Sequence, residues 1–115
     1  MHELGIVSGI LETVTAAARE AGASRVVAVS LRIGDLREVA PESLDFAWEV
    51  LTEEDPVTCG CKLEVEEIHP RSRCLACGEE FDHDRFHVRC PVCGGRDTHL
   101  LRGRELDLVS MEVES

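Results

Sequence analysis

The sequence predicts an α+β fold, two helices packed on a small mixed sheet, with a four-cysteine lobe inserted ahead of the last strand. Three observations predict it. Two stretches repeat apolar residues at steps of three and four, the mark of a helix with one buried face. Three others are rich in β-branched and aliphatic residues at steps of two. Between the second and third of these, the aliphatic pattern gives way to Cys, Gly, His and charge. The insertion divides the 115 residues into an α/β domain, residues 1–69 plus 103–115, and an inner domain, residues 70–102. A chain this short buries a modest core and gains from a metal or another staple.

The elements follow in order. Leu4, Val7, Leu11, Val14, Ala18 and Ala21 form one face of a helix over about residues 4–21; Ile6 and Ile10 widen it, and Gly22 stops it. Gly5 and Gly9 weaken its first turns, so a loose start is expected. Val27, Val29, Leu31 and Ile33 then face one way and Ala28, Ser30 and Arg32 the other, a half-buried strand closed by Gly34-Asp35. Pro41 opens a second helix with Leu44, Ala47, Trp48 and Leu51 as its apolar stripe, ended by Asp55-Pro56. Cys61, Leu63 and Val65 alternate with Lys62, Glu64 and Glu66 in a strand reaching about His69, and Pro70 marks a boundary. From Glu105 to Glu114 strand character returns. The apolar parity switches there, from Leu106 and Leu108 to Val109, Met111 and Val113, which predicts a bulge.

Charge and composition exclude some functions. A net charge of -11 and 3% aromatic residues disfavour nucleic acid, whose phosphates are repelled and whose bases would find few stacking partners. Mean hydropathy is -0.07, and no apolar run approaches the ~18–20 residues of a membrane span. Met1-His2-Glu3 leads into an amphipathic helix rather than a basic and then apolar signal segment, so a cytoplasmic address is expected. In that compartment paired cysteines hold metal more often than they form disulfides. No motif surrounds Ser8, Asp35 or the scattered histidines to make a nucleophile–base pair, so no enzymatic activity is expected.

The cysteines carry the sharpest signal. Cys74-x2-Cys77 and Cys90-x2-Cys93 are separated by twelve residues, enough for a short hairpin, and glycine follows each pair at Gly78 and at Gly94-Gly95. Two such loops bring four thiolates to one ion, the ligand set of structural zinc in a zinc-ribbon-like lobe. With four protein ligands no position is left for water, so the zinc is structural rather than catalytic. Two disulfides, or iron in the same ligands, are the rival readings. His83 and His87 lie between the pairs, as alternative ligands or surface residues. Cys61 shares the parity of Leu63 and Val65 and reads as a buried thiol, while Cys59 is more open.

His2 is the second candidate. An α-amine, deprotonated amides and an imidazole form fused chelate rings, and a planar nitrogen set suits Ni(II) or Cu(II). The Met1 amine and the His2 backbone and imidazole nitrogens are within reach of one ion, and the Glu3 amide or an outside ligand completes a square. Spacing alone favours the other reading, a frayed terminal histidine with no role.

Met1-His2-Glu3-Leu4, Arg32-Ile33-Gly34-Asp35-Leu36, Leu63-Glu64-Val65-Glu66-Glu67, the four cysteines and Gly103-Arg104-Glu105-Leu106 together resemble the HypA/HybF family of hydrogenase maturation factors, over essentially the whole chain. The resemblance implies a nickel metallochaperone. It implies transferable Ni(II) on His2 with the Met1 amine and Glu3 backbone, and structural Zn(II) on Cys74, Cys77, Cys90 and Cys93. The implied partners are a hydrogenase accessory GTPase and the hydrogenase large subunit, with urease maturation proteins in some organisms, and the chain acts as a monomer or homodimer. Cys59, His69 and His99 lie outside the family motif. A zinc-ribbon interaction module without transferable metal is the alternative.

Overall fold

The computed structural model describes residues 2–115. Its elements run α1 (His2–Glu20), β1 (Arg25–Gly34), a 3-10 turn (Asp35–Arg37), α2 (Pro41–Glu53), β2 (Lys62–Ile68), β3 (Arg71–Cys74), β4 (Glu80–Asp82), β5 (Thr98–Arg102) and β6 (Leu106–Glu114). The α+β expectation holds, with two helices and two small three-stranded sheets. The chain divides into two compact units. One comprises the chain through Leu31, Val39–Val65 and Leu108–Ser115; the other comprises Arg32–Glu38 and Glu66–Asp107.

The first sheet has the order β2-β1-β6. Side chains pair between β1 and β2 at one offset, Ser30 with Glu64 and Arg32 with Glu66, both 34 residues apart. A constant offset marks parallel strands. Bonds between β1 and β6 run the opposite way, from Ser24 with Glu114 to Gly34 with Glu105. The sheet is therefore mixed, and α2 is the crossover that two parallel neighbours require.

In the first unit, α1 buries Val7, Val14 and Ala18, and α2 buries Leu44, Ala47, Trp48 and Thr52. The helices pack on each other, and Val26, Val29 and Leu31 of β1 are buried in the same unit. Two details depart from periodicity. Val26 rather than Val27 is fully buried, because β1 starts with the Val26 N–H donating to Val57 O at 2.8 Å. Thr52 displaces Leu51 from the deepest position, its hydroxyl donating to Trp48 O at 2.6 Å. The Trp48 indole N–H donates to Cys61 O at 3.0 Å and ties α2 to the start of β2. α1 ends as the sequence predicts. Gly22 adopts φ +70, and the Ala23 and Gly22 N–H groups bond Ala18 O and Arg19 O, which satisfies the last carbonyls. Its start is not loose: the helix begins at His2 and runs through Gly5 and Gly9. Glu3 places negative charge in the first turn, where the helix dipole favours it, and accepts the Ala40 N–H at 3.2 Å.

In the second unit, β3 pairs antiparallel with β4 and with β5 in the order β4-β3-β5. The expected hairpin between the cysteine pairs is instead a hairpin around the first pair, with Ser72 opposite Phe81. The register shift observed in this sheet lies at Arg71/Ser72. Arg71 and Arg102 both reach Asp82, at 2.7 and 3.2 Å, and Arg73 reaches Glu80 at 3.1 Å. Such exposed pairs contribute little each. The buried cluster here is Phe81 with Cys74 and Cys90. So small a core leaves the cysteine group as the main staple available.

The ends of this unit meet in a contact between backbones. A Cβ on Gly34 would overlap the Gly103 carbonyl and crowd the Arg104 nitrogen. Gly103 has φ +129, and a Cβ there would lie 3.0 Å from Pro70 Cα. Around them, the Gly34 N–H donates to Glu105 O at 2.8 Å, the Leu36 N–H to Gly103 O at 2.9 Å, and Arg37 Nε to Arg104 O at 2.8 Å. Gly34→Ala is expected to lower unfolding free energy by about 3 kcal/mol or more, since neither backbone can yield. Gly9→Ala, whose added Cβ meets nothing within 4 Å, is expected to raise it by up to ~1 kcal/mol. Denaturant unfolding of both variants tests the contrast, and equal stabilities would refute it.

Candidate metal centre

The four cysteines converge. The Sγ atoms of Cys74, Cys77, Cys90 and Cys93 all lie within 4.8 Å of one another. Cys74 and Cys93 approach to 3.5 Å and Cys77 and Cys90 to 3.6 Å. A disulfide needs sulfurs about 2.05 Å apart, and all six cysteines are free. Four sulfurs each ~2.3 Å from one ion would be separated by about 3.8 Å, which the observed spacing approaches.

Two loops of the same construction make this group. In the first, the Cys74 N–H donates to Glu79 O and the Gly78 N–H to Cys74 O, both at 2.8 Å. In the second, the Cys90 N–H donates to Gly95 O and the Gly94 N–H to Cys90 O, both at 2.9 Å. Gly78 and Gly94 occupy the same place with φ +82 and +74, a conformation costly for other residues. Gly95 is constrained differently, since a Cβ there would lie 3.2 Å from Cys93 Sγ and 3.5 Å from Cys74 Sγ.

Electrostatics divides the four thiols. N–H groups of Cys77 and Ala76 point at the Cys74 sulfur and bring its pKa down to about 7. Cys90 is lowered the same way, by the N–H groups of Cys93 and Val92. Cys77 and Cys93 each receive one such N–H, from Glu79 and Gly95. The neighbouring sulfurs Cys90 and Cys74 and burial outweigh it, raising Cys93 and carrying Cys77 up to about 12. Cys74 and Cys90 are therefore the readier of the four to give up their protons. A bound cation replaces those protons, so loading releases them.

The other candidates lie elsewhere. His83 does not join the cysteines: its Nδ1 is 2.6 Å from Asp84 O, and its Nε2 is 2.7 Å from the buried Ser72 hydroxyl. The carbonyl can only accept, which puts a proton on Nδ1, and both ring nitrogens are engaged away from the cysteines. His87 Nδ1 contacts the Asp84 carboxylate at 2.8 Å. His99 is exposed on β5 opposite Arg73, Cys59 is exposed, and Cys61 is buried with its pKa raised by that burial. His69 Nδ1 lies 2.7 Å from Asp35 Oδ2, a pair that sequence spacing gave no sign of.

His2 and Glu3 belong to the first unit. The His2 Nε2 lies 3.2 Å from Glu3 Oε2. The Ala40 N–H, Glu3's own N–H and the His2 ring hold the Glu3 carboxyl below its usual range. The first N–H groups of a helix have no partner within it, so the His2 and Glu3 nitrogens are not committed to the helix ladder. The Met1 amine lies outside the described residues. Among the described residues no helix is long and apolar enough to cross a membrane.

The chain is similar to known proteins over nearly its whole length. A family described as hydrogenase/urease nickel incorporation metallochaperones, HypA, matches residues 1–113. A protein named hydrogenase maturation factor HypA from Geobacter metallireducens is 36% identical over 114 residues, covering 99% of this chain and all of that one. Its namesake from Chlorobaculum parvum is 35% identical over the same shares. The solution structure of the nickel metallochaperone HypA from Helicobacter pylori superimposes with a TM-score of 0.69 at 21% identity, covering 98% of this chain and 97% of that one. A second solution structure, of HypA protein, gives 0.72 at 23% identity, covering 98% and 96%. At these identities the two structures show a shared fold.

The His69–Asp35 contact is testable by titration. The Asp35 carboxylate, by hydrogen bond and then by charge, raises the His69 pKa above its ordinary 6.5. A raised pKa in the folded state means the pair stabilises fully below that ordinary value and loses its effect as pH rises through the higher one. Asp35→Asn is expected to bring the His69 midpoint back toward 6.5, followed by NMR of the imidazole protons. An unmoved midpoint would show that the contact is absent in solution.

Proposed function

The chain belongs to the HypA family of hydrogenase/urease nickel-incorporation metallochaperones, and from that we propose that it carries Ni(II) at its N-terminus and delivers it during maturation of nickel–iron hydrogenase. The family match over residues 1–113 carries the proposal. Two sites of opposite design support it.

The cargo site is the N-terminal one. His2 supplies an imidazole, and the His2 and Glu3 backbone nitrogens and the Met1 amine complete a nitrogen set of the kind that suits Ni(II). Glu3, bonded to the Ala40 N–H at 3.2 Å, steadies the helix start that presents them. Few side chains are involved, and the amine and amide nitrogens must lose a proton to bind. Release is therefore easy, as delivery requires. In this reading residues 1–69 plus 103–115 form the nickel-binding domain.

Zinc belongs to residues 70–102, on Cys74, Cys77, Cys90 and Cys93. Their thiol chemistry and spacing fit it, and its contribution is to hold a lobe whose apolar core is Phe81 with two cysteines. Recipients and co-workers are a hydrogenase accessory GTPase and the hydrogenase large subunit, and urease maturation proteins where urease is made. The work takes place in the cytoplasm, where thiols stay reduced. The chain carries a metal and catalyses no reaction of its own.

Calorimetric titration with Ni(II) tests the cargo site. His2→Ala is expected to weaken binding at least about a hundredfold, since even supporting residues around a metal cost 10–100-fold. Affinity of the unaltered chain is expected to fall as pH drops, because protons compete for the same nitrogens. Unchanged affinity in His2→Ala would remove the N-terminal assignment. One zinc per chain with no tight nickel would leave a zinc-ribbon interaction module. For the zinc site, Cys74→Ser should lose bound zinc in metal analysis and lose the dispersed NMR signals of residues 71–102. Retention of both would overturn it.

A further inference from the structure

Helix α2 has an outward face that no described residue covers. Opposite its buried Leu44, Ala47, Trp48 and Thr52, Phe46 is 65% exposed and Val50 39% exposed. The two stand one turn apart, where side chains form a continuous strip. Glu42, Asp45, Glu49 and Glu53 flank them, and α2 contains no Lys or Arg. One residue on from Val50, Leu51 lines a groove of about 520 Å³ between α1 and the end of α2, with Leu11, Glu12, Glu54 and Asp55 against the single cation Arg19. Of the chain's 12 Lys and Arg residues, only Arg19, Arg25 and Lys62 lie in this unit.

We propose that this face docks the apolar side of a basic amphipathic helix from a partner polypeptide. An i, i+4 apolar pair beside a groove is the surface on which an amphipathic helix lays its own apolar stripe. The acidic rim selects the sign of that helix, since Lys or Arg beside the stripe would meet the carboxylates that line it. A second copy of this chain is disfavoured, because two such faces would bring like charges together. The net charge of -11 draws a cationic partner from a distance and repels an anionic one. The inference rests on α1 and α2 alone and is independent of which metals the chain carries.

The probe is a synthetic amidated Leu/Lys peptide of roughly 15–18 residues, long enough to form a helix, with leucines at helical spacing. A scrambled peptide of the same composition is the control. Titrated into the full-length chain, the designed peptide is expected to shift amide NMR signals of α2 and of the groove residues, saturably and more weakly as salt rises. The double variant Phe46→Ser/Val50→Ser should bind about tenfold more weakly, the loss of one or two central apolar anchors. Both residues are exposed, so the fold should survive, and unchanged Trp48 fluorescence would verify it. Equal binding by the scrambled peptide, equal binding by the double variant, shifts confined to other elements, or no binding would each overturn the proposal. So would sedimentation showing a dimer that the double variant dissolves, which would make the face a contact between copies.

Discussion

Where Gly34 passes Gly103, two backbones lie closer than any side chain permits, and the form of the second unit depends on that approach. An inserted lobe must leave a chain and rejoin it at nearly the same point. Here the end of β1 and the residues just before β6 are bonded directly, through Gly34 to Glu105 and Leu36 to Gly103. Side chains finish the closure: Arg37 reaches Arg104 O, Glu105 accepts the Gly103 N–H, and Arg102 reaches His69 O. Because the gap is closed by main chain, the stretch Arg32–Glu38 groups with the lobe and not with the strand it continues. The close approach also fixes where β6 starts, and hence its course beside β1.

With its ends fixed, the lobe still lacks a hydrophobic reason to hold its shape. Phe81, Cys74 and Cys90 make a core far below what an isolated fold of this size needs. The two cysteine loops compensate through order in their backbones. Each donates N–H groups to its own sulfurs and bends at a glycine in the left-handed region, so the backbone itself favours the geometry in which the sulfurs converge. A site arranged in advance loses less freedom on binding, which favours tight retention. The N-terminal site proposed for nickel contrasts with it, offering one half-exposed imidazole with a single carboxylate beside it. In that proposal, retention in one place and release in the other is the division of labour a carrier requires.

Much of this was legible in the residues. Periodicity located both helices and β1, and Gly22 marked the end of α1 because only an αL residue closes it that way. Paired Cys-x2-Cys motifs followed by glycine indicated the loops, since ligand spacing and turn chemistry are local properties. What periodicity could not supply was anything set by distant partners. Val26 takes the core position from Val27 because of a bond to Val57, and the parallel run of β1 and β2 follows from a crossover whose direction is not written in either strand. The Gly34–Gly103 approach joins residues far apart in sequence, and each glycine alone reads only as a turn. His69 finds Asp35 through the same parallel register. The start of α1 at His2 draws on the Ala40 N–H that Glu3 captures, a contact across 37 residues that glycine propensity does not show.

The single tryptophan has a consequence for anyone observing this molecule by light. The chain has one Trp and no Tyr, so nearly all of its ultraviolet emission comes from Trp48. That indole is buried in the helical unit, with its N–H on Cys61 O. Its colour and intensity therefore follow the integrity of that unit. The four cysteines belong to the other unit, which has no such chromophore, so the sulfur-to-metal absorption band of a coloured surrogate such as Co(II) would be read against an almost dark background.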